Sequence, residues 1–259
     1  MGWVDSHCHL FLAAEPASAL LDRAAAAGVE WVLCPGVDLG TSLAARRLAA
    51  EHPTRVRWSA GLHPHDAAAW DETSGRLRSL AAAASAVGEC GLDFYRNLSD
   101  PDAQRRAFTA QLALAAELAK PVIVHCRDAF ADVHSALERA GLGEAVVLHC
   151  WTGGPKWTRR FADLGVTFSF AGPVTFDTGD TVRRGAAVAP PERTMVETDT
   201  PYLTPPPDRA AANEPANVVR VGEALAGVWG LDVDRVAALT SATAARLFGG
   251  VSETTAPGS

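Results

Sequence analysis

The amino-acid sequence predicts an α/β protein of the TIM-type (β/α)8 barrel class. Three observations carry that expectation. Eight strand-like segments are each followed by a helix-like one. Several of those strands are continuously apolar, as strands buried on both faces of a parallel sheet must be. The length of 259 residues suits one such barrel. A doubly wound sheet would want a glycine-rich phosphate loop after its first strand, and His7-Cys8-His9-Leu10 stands there instead. No Walker sequence, zinc ribbon, helix-turn-helix or internal repeat competes with this reading.

In chain order, the first strand is read over Trp3-Val4-Asp5-Ser6-His7-Cys8-His9, where period-2 alternation points Asp5, His7 and His9 to one side. An alanine-rich helix over Ala17–Ala27 follows, punctuated by Gly28, and leads into the second strand, Val29–Cys34. After Pro35-Gly36 comes a helix through Leu43–Ala50, then a third strand, Val56–Ala60, that runs into the loop Gly61-Leu62-His63-Pro64-His65. Helix Ala67–Ala83 precedes a very short fourth strand, Ala86–Gly88, with Glu89 at its end and Asp93 soon after. Pro101 opens a helix over Asp102–Leu118, at a position where its missing N–H costs little.

The fifth strand, Pro121–Val124, ends in His125-Cys126-Arg127-Asp128 ahead of helix Ala129–Ala140. The sixth, Ala145–Leu148, ends in His149-Cys150-Trp151. Helix Pro155–Asp163, strand Val166–Phe170, a helix near Thr181–Ala187 and strand Arg193–Asp199 complete the alternation. Two last helices, about Pro215–Trp229 and Val233–Phe248, precede a polar tail from about residue 250 that reads as frayed. Residues 1–259 therefore read as a single hydrolase-sized barrel domain.

Composition narrows the function classes. Hydrophobic residues at 48% and charged residues at 20% fit a folded soluble protein and exclude extensive disorder. No long apolar run and no basic-then-apolar leader is present, so the expected location is the cytoplasm and no membrane contact is expected. The five cysteines form no CxxC pair and read as small core-filling groups without a catalytic role. A formal net charge of −7 argues against a broad basic surface for duplex nucleic acid. It leaves a phosphate substrate open, because bound divalent cations invert the potential of an acidic pocket.

The position of the polar residues is the most informative signal. Asp5, His7, His9, His63, His65, Glu89, His125, His149 and Asp199 all fall at or just past the C-terminal ends of predicted strands. In a parallel barrel those ends share one face, so residues scattered along the chain meet in one pocket. Imidazoles with carboxylates suit borderline-soft divalent ions, with zinc, manganese and magnesium all acceptable. The ligands on offer suit two metal ions: one between His7, His9, Glu89 and Asp199, the other between Glu89, His125 and His149, with Glu89 as the bridge. Asp199 is expected to bind one ion while orienting or deprotonating the attacking water.

Blander readings stand beside these. Asp5 is expected to orient a ligand rather than be one, and Asp93 to partner a ligand histidine. His63 and His65 pack the loop around Pro64, donate to a substrate phosphate or serve an extra ion. Arg127, Lys156 and Arg209 are candidate phosphate contacts, each with a plain surface-charge alternative. Asp128 suits the start of the following helix. Trp151 packs in the core or forms an apolar wall against a base or sugar.

Val4-Asp5-Ser6-His7-Cys8-His9-Leu10, Gly61-Leu62-His63-Pro64, Gly88-Glu89-Cys90-Gly91-Leu92-Asp93, Pro121 to Ala129, Leu148-His149-Cys150 and Val196-Glu197-Thr198-Asp199-Thr200-Pro201-Tyr202-Leu203 together carry a resemblance. The chain resembles the TatD family of metal-dependent deoxyribonucleases, within the wider amidohydrolase-like barrels. Asn213-Glu214-Pro215 with Arg209 upstream fits the same pattern, and the resemblance runs from residue 4 to about residue 248. Trp151, where the family commonly has phenylalanine, and the proline-rich Pro205-Pro206-Pro207 loop are departures. No lysine lies near Glu89, so barrels bridged by a carbamylated lysine do not match.

The resemblance implies phosphodiester hydrolysis with divalent metals held by His7, His9, Glu89, His125, His149 and Asp199. It also implies action from the 3' end. An acidic chain without a basic platform favours a DNA end or single-stranded tail over the middle of a duplex. Two rivals remain: hydrolysis of an ester, amide or lactone, including removal of an aminoacyl group from tRNA, and a non-catalytic, metal-stabilised binding protein. A monomer without an obligatory protein partner is expected.

Overall fold

The computed structural model describes residues 2–249, and the tail read as frayed lies outside them. Eight strands lie in sequence order in one sheet: β1 (Trp3–Asp5), β2 (Val29–Cys34), β3 (Val56–Ala60), β4 (Ala86–Asp93), β5 (Val122–Arg127), β6 (Val146–Leu148), β7 (Thr167–Phe170) and β8 (Thr194–Val196). Every neighbouring pair is parallel. The ring closes through the extensions of β1 and β8. Ser6 N–H donates to the Val196 carbonyl (3.0 Å), Asp199 N–H to that of His7 (2.9 Å) and His9 N–H to that of Thr200 (2.8 Å).

Between the strands run α1 (Ala17–Ala26), α2 (Leu39–Glu51), α3 (Trp70–Ala83), α4 (Pro101–Leu118), α5 (Phe130–Ala140), α6 (Pro155–Asp163) and α7 (Asp180–Ala186), with α8 (Val218–Trp229) and α9 (Val233–Phe248) after β8. Local chemistry sets the helix ends. Asp38 caps α2 by accepting from Thr41 N–H at 2.6 Å, and Asp100 caps α4, with Pro101 at the first helical position. Gly141 and Gly230 end α5 and α8 in the left-handed conformation.

Two apolar groupings hold the barrel. A large one joins the outward strand faces to the helices, including Val87, Cys90, Phe108, Leu112, Trp151 and Phe161. A smaller one gathers Val4, Leu33, Ala86, Ile123, Val147 and Met195 from six strands, with Ala244 and Phe248 of α9. The smaller cluster fills the ring below the strand ends, so the polar residues beyond them look into a mouth with a dry floor. Burying such side chains is the main stabilising term, at roughly 1.5–3 kcal/mol each.

Three strand expectations are corrected. The first strand stops at Asp5 rather than His9 and the eighth at Val196 rather than Asp199. Past those residues the two segments bond irregularly to each other, by a single bridge between Cys8 and Thr200, and Asp199 takes φ of +57°. The fourth strand extends through Asp93 instead of ending at Gly88, because β5 supplies partners for Cys90 to Asp93. Glu89 therefore lies inside a strand. No helix among the described residues is long and apolar enough to cross a membrane.

Candidate metal centre

Glu89 reaches the mouth because β4 is irregular. Val87 and Cys90 both pack in the helix-facing cluster although three residues apart, which a regular strand of period 2 forbids. The β4·β5 register shifts between these two residues, and this bulge turns Glu89 inward. Gly61, just past β3, lets the backbones approach: a Cβ on Gly61 would lie 2.4 Å from the Gly88 Cα.

Around the buried Glu89 carboxylate the imidazoles divide by oxygen. His149 Nε2 (3.1 Å), His125 Nδ1 (3.2 Å) and His63 Nε2 (3.4 Å) face Oε1. His7 Nε2 lies 3.3 Å and His9 Nε2 4.0 Å from Oε2. Asp199 Oδ1 sits 3.3 Å from His9 Nε2 and 3.9 Å from His7 Nε2. Three overlapping groups have their donor atoms within 4.8 Å of one another: His7–His9–Glu89, His7–His149–Asp199 and His63–Glu89–His125. The chemistry of these donors, neutral imidazole nitrogens with hard carboxylate oxygens, fits divalent ions. His63 joins the third group in the place that sequence reading gave to His149, although both face the same oxygen.

Electrostatics agree with such a site. Burial by itself would raise the Glu89 pKa, but the His149 and His63 charges and hydrogen bonds from His125 and His149 hold it well below the ordinary carboxylate value. Burial would also raise Asp199, yet the hydrogen bond and charge of His9 keep it low. Burial pulls His63 down to about 4, so its ring is neutral at pH 7 and has a lone pair to give.

The remaining predicted residues support or surround this cluster. Asp5 does not converge with His7 and His9: its Oδ2 accepts from the Thr198 hydroxyl (2.6 Å) and its Oδ1 from Thr198 N–H (2.9 Å), tying β1 to the chain after β8. Burial pushes its carboxyl up to about 8. Asp93 Oδ2 lies 2.8 Å from His65 Nε2 and 3.3 Å from His125 Nε2. Arg127, Lys156 and Arg209 are exposed. The Arg209 guanidinium lies over the Phe176 ring. Trp151 is corrected as a substrate wall: it is 2% exposed, its indole N–H donates to Thr158 Oγ1, and its ring packs on Phe130, Phe161 and Phe168.

Sequence reading missed Glu197, Gln104 and Gln111. Glu197 is fully buried, and its Oε1 accepts from Cys150 N–H (2.7 Å) and faces His149 Nδ1 (3.1 Å). This fixes which His149 nitrogen points at Glu89. Period 2 with Asp199 in the Glu197-Thr198-Asp199 segment was an available signal. Gln104 and Gln111 lie two turns apart on α4. Gln104 Oε1 accepts from Asp93 N–H (2.9 Å) and Gln111 Oε1 from Leu62 N–H (2.8 Å), so one helix face steadies both loops. A buried glutamine on a helix leaves no mark of its role in the sequence.

The Glu197 contact carries a prediction. Burial would lower the His149 pKa, but the Glu89 and Glu197 charges outweigh it and hold it well above the ordinary value. A raised folded pKa stabilises the metal-free protein fully below pH 6.5 and is lost as pH rises through the folded value. An ion must displace that proton, and any on His125, whose pKa is also raised, so metal affinity will rise with pH and binding at pH 7 will release protons. Calorimetry in two buffers of different ionisation enthalpy measures the release. Glu197→Gln will release less and bind metal about 10–100-fold more weakly; equal affinity would contradict the role given to Glu197.

A parallel barrel that gathers histidines and carboxylates at its C-terminal mouth, above an apolar floor, defines the chain as a metal-dependent hydrolase of the barrel type. A family model described as TatD related DNase matches residues 4–249. The chain belongs to the TatD-related DNase family. The 3'-5' ssDNA/RNA exonuclease TatD of Citrobacter rodentium is 40% identical over 237 residues, covering 88% of this chain and 89% of that protein. Its counterpart in Cronobacter sakazakii is 42% identical over 239 residues, covering 88% and 90%. Among solved structures, YJJV, a TatD homologue from Escherichia coli K12, matches with a TM-score of 0.88 at 26% identity, covering 95% of this chain and 98% of that one. A TatD family hydrolase from Entamoeba histolytica shares the fold, with a TM-score of 0.84 at 17% identity over 96% and 98%.

Proposed function

We propose that this chain is a two-metal 3'-5' exonuclease that shortens single-stranded ends of DNA, and of RNA as its relatives' names include. The observation that supports it most is the Glu89 carboxylate, with one oxygen toward His63, His125 and His149 and the other toward His7 and His9. His7, His9, Glu89 and Asp199 would hold one ion, and Glu89, His125 and His149, with His63 beside them, the other. When bound, the ions supply positive charge at the scissile phosphate and make a nucleophile available at neutral pH.

The protein's own groups do the rest. Asp199, kept ionised by His9 and partly exposed, orients the attacking water. His65, held by Asp93, faces the same mouth and donates to a phosphate oxygen. Arg127, Lys156 and Arg209 contact phosphates farther along the strand. The acidic surface favours a strand end over a duplex interior. One barrel domain working as a monomer is sufficient for this activity, and five free thiols suit a reducing cytoplasm.

Metal-stripped protein resupplied with magnesium, manganese or zinc, and given 3'- or 5'-labelled single-stranded DNA, tests this reading. Stepwise shortening from the 3' end, absent in Asp199→Asn, is expected. No cleavage with any ion, alongside turnover of carboxylic esters, would overturn it in favour of carbonyl hydrolysis.

A further inference from the structure

The chain has 2 tyrosines, and both stand exposed at the mouth, Tyr95 at 62% and Tyr202 at 54%. No other aromatic ring among the described residues is as open to solvent. Tyr95 follows β4 and Tyr202 follows β8, the fourth and eighth positions of the eight-stranded order. In a ring these positions are opposite, so the two rings flank the metal centre from either side.

Both rings are carried on turns fixed to the centre. Tyr95 N–H donates to Asp93 Oδ1 at 3.0 Å, and the other oxygen of that carboxylate faces His65 and His125. Across the mouth, Tyr202 N–H donates to the Asp199 carbonyl (2.9 Å) and its own carbonyl accepts from Asn213 Nδ2 (2.7 Å). The Tyr202 ring centroid lies 6.4 Å from that of His9. The Arg127 guanidinium sits 4.0 Å from the Tyr95 centroid. It covers one face of that ring, adds a cation–π contact and leaves the other face open.

We propose that Tyr95, backed by Arg127, and Tyr202 are stacking platforms for the two bases that flank the scissile phosphate. This rests on the nuclease reading and specifies its substrate. An aromatic face accepts any base, so the site is tolerant of sequence. Only an unpaired base can leave its neighbours to lie on such a ring, so the platforms select single strands, which the acidic surface cannot do by attraction. Each platform is one turn of chain from a residue of the metal centre, which places the phosphate between two held bases.

The test is steady-state cleavage of single-stranded oligonucleotides by the metal-loaded enzyme and by Tyr95→Ala and Tyr202→Ala. KM will rise roughly tenfold in each variant, with a smaller change in kcat, and the Tyr→Phe variants will restore it. An abasic residue beside the scissile phosphate will cost the wild type a similar factor at each of the two flanking positions. At the position a given tyrosine serves, the abasic substrate and the alanine variant will not multiply their losses. Wild-type KM in both alanine variants, failure of phenylalanine to restore it, or fully multiplicative losses would overturn the platforms while leaving the nuclease intact. Wild-type protein that neither cleaves nor binds single strands would overturn both readings.

Discussion

Replacing Glu89 by glutamine will lower turnover on single-stranded DNA on the order of 10³-fold at saturating metal. The side chains are nearly the same shape, so the loss isolates charge. One carboxylate now serves imidazoles on both of its oxygens, at 3.1–3.4 Å on Oε1 and from 3.3 Å on Oε2. Glutamine replaces an acceptor oxygen with an amide donor that points its protons at ring nitrogens. The depressed Glu89 pKa also gives the metal-free protein stability that is present above 4.5 and lost as pH falls through the folded value. Glu89→Gln forfeits that term, and His125 and His149 become easier to deprotonate. Bound metal counted by elemental analysis, with near-ultraviolet dichroism as a control for folding, will show a depleted but folded protein. A variant that keeps a tenth of wild-type turnover would remove Glu89 from the metal centre.

Alanine at Gly88 will destabilise the fold by about 3 kcal/mol or more. The residue sits at φ of +112°, and a Cβ there would lie 2.5 Å from the Ile123 carbonyl oxygen of β5. That oxygen cannot yield, since it belongs to the barrel backbone. Urea denaturation measures the change, and a melting temperature about 6–12 °C lower is expected for a domain of this size. Metal binding will fall with it, because the same bulge turns Glu89 inward. Gly75→Ala is the contrast: within α3 with nothing inside 4 Å, it will stabilise by about 0.5–1 kcal/mol. If both variants melt with the wild type, β4 is not held by the Gly88 conformation.

The alternation of strands and helices was legible because parallel barrel strands are apolar on both faces and bounded by punctuating residues. Val32–Cys34 and Val122–Val124 show it directly. The fourth strand was underread for the opposite reason. Gly88, Gly91 and the polar Glu89 and Asp93 break its apolar run, and only the partners supplied by β5 reveal that the strand continues. At β8 the extended-looking Glu197-Thr198-Asp199 leaves the sheet, because Asp199 turns into the left-handed region. For Trp151 both a core position and a substrate wall were open from the sequence, and the core position holds. Cys150, at φ of +44°, breaks the alternation past His149.

The sequence alone determined the order of the strands and the types of donor at their ends, since hydrophobic periodicity and motif spacing are local properties. Tertiary structure decided which donors share an oxygen. Glu197 reaches His149 from the segment just past β8, and Gln104 and Gln111 hold the chain at the ends of β4 and β3. These pairings depend on the curvature and closure of the ring, which bring residues distant in the chain within hydrogen-bond reach. Tyr95 and Tyr202 become a pair for the same reason: opposite positions in a closed ring have no counterpart along a linear chain.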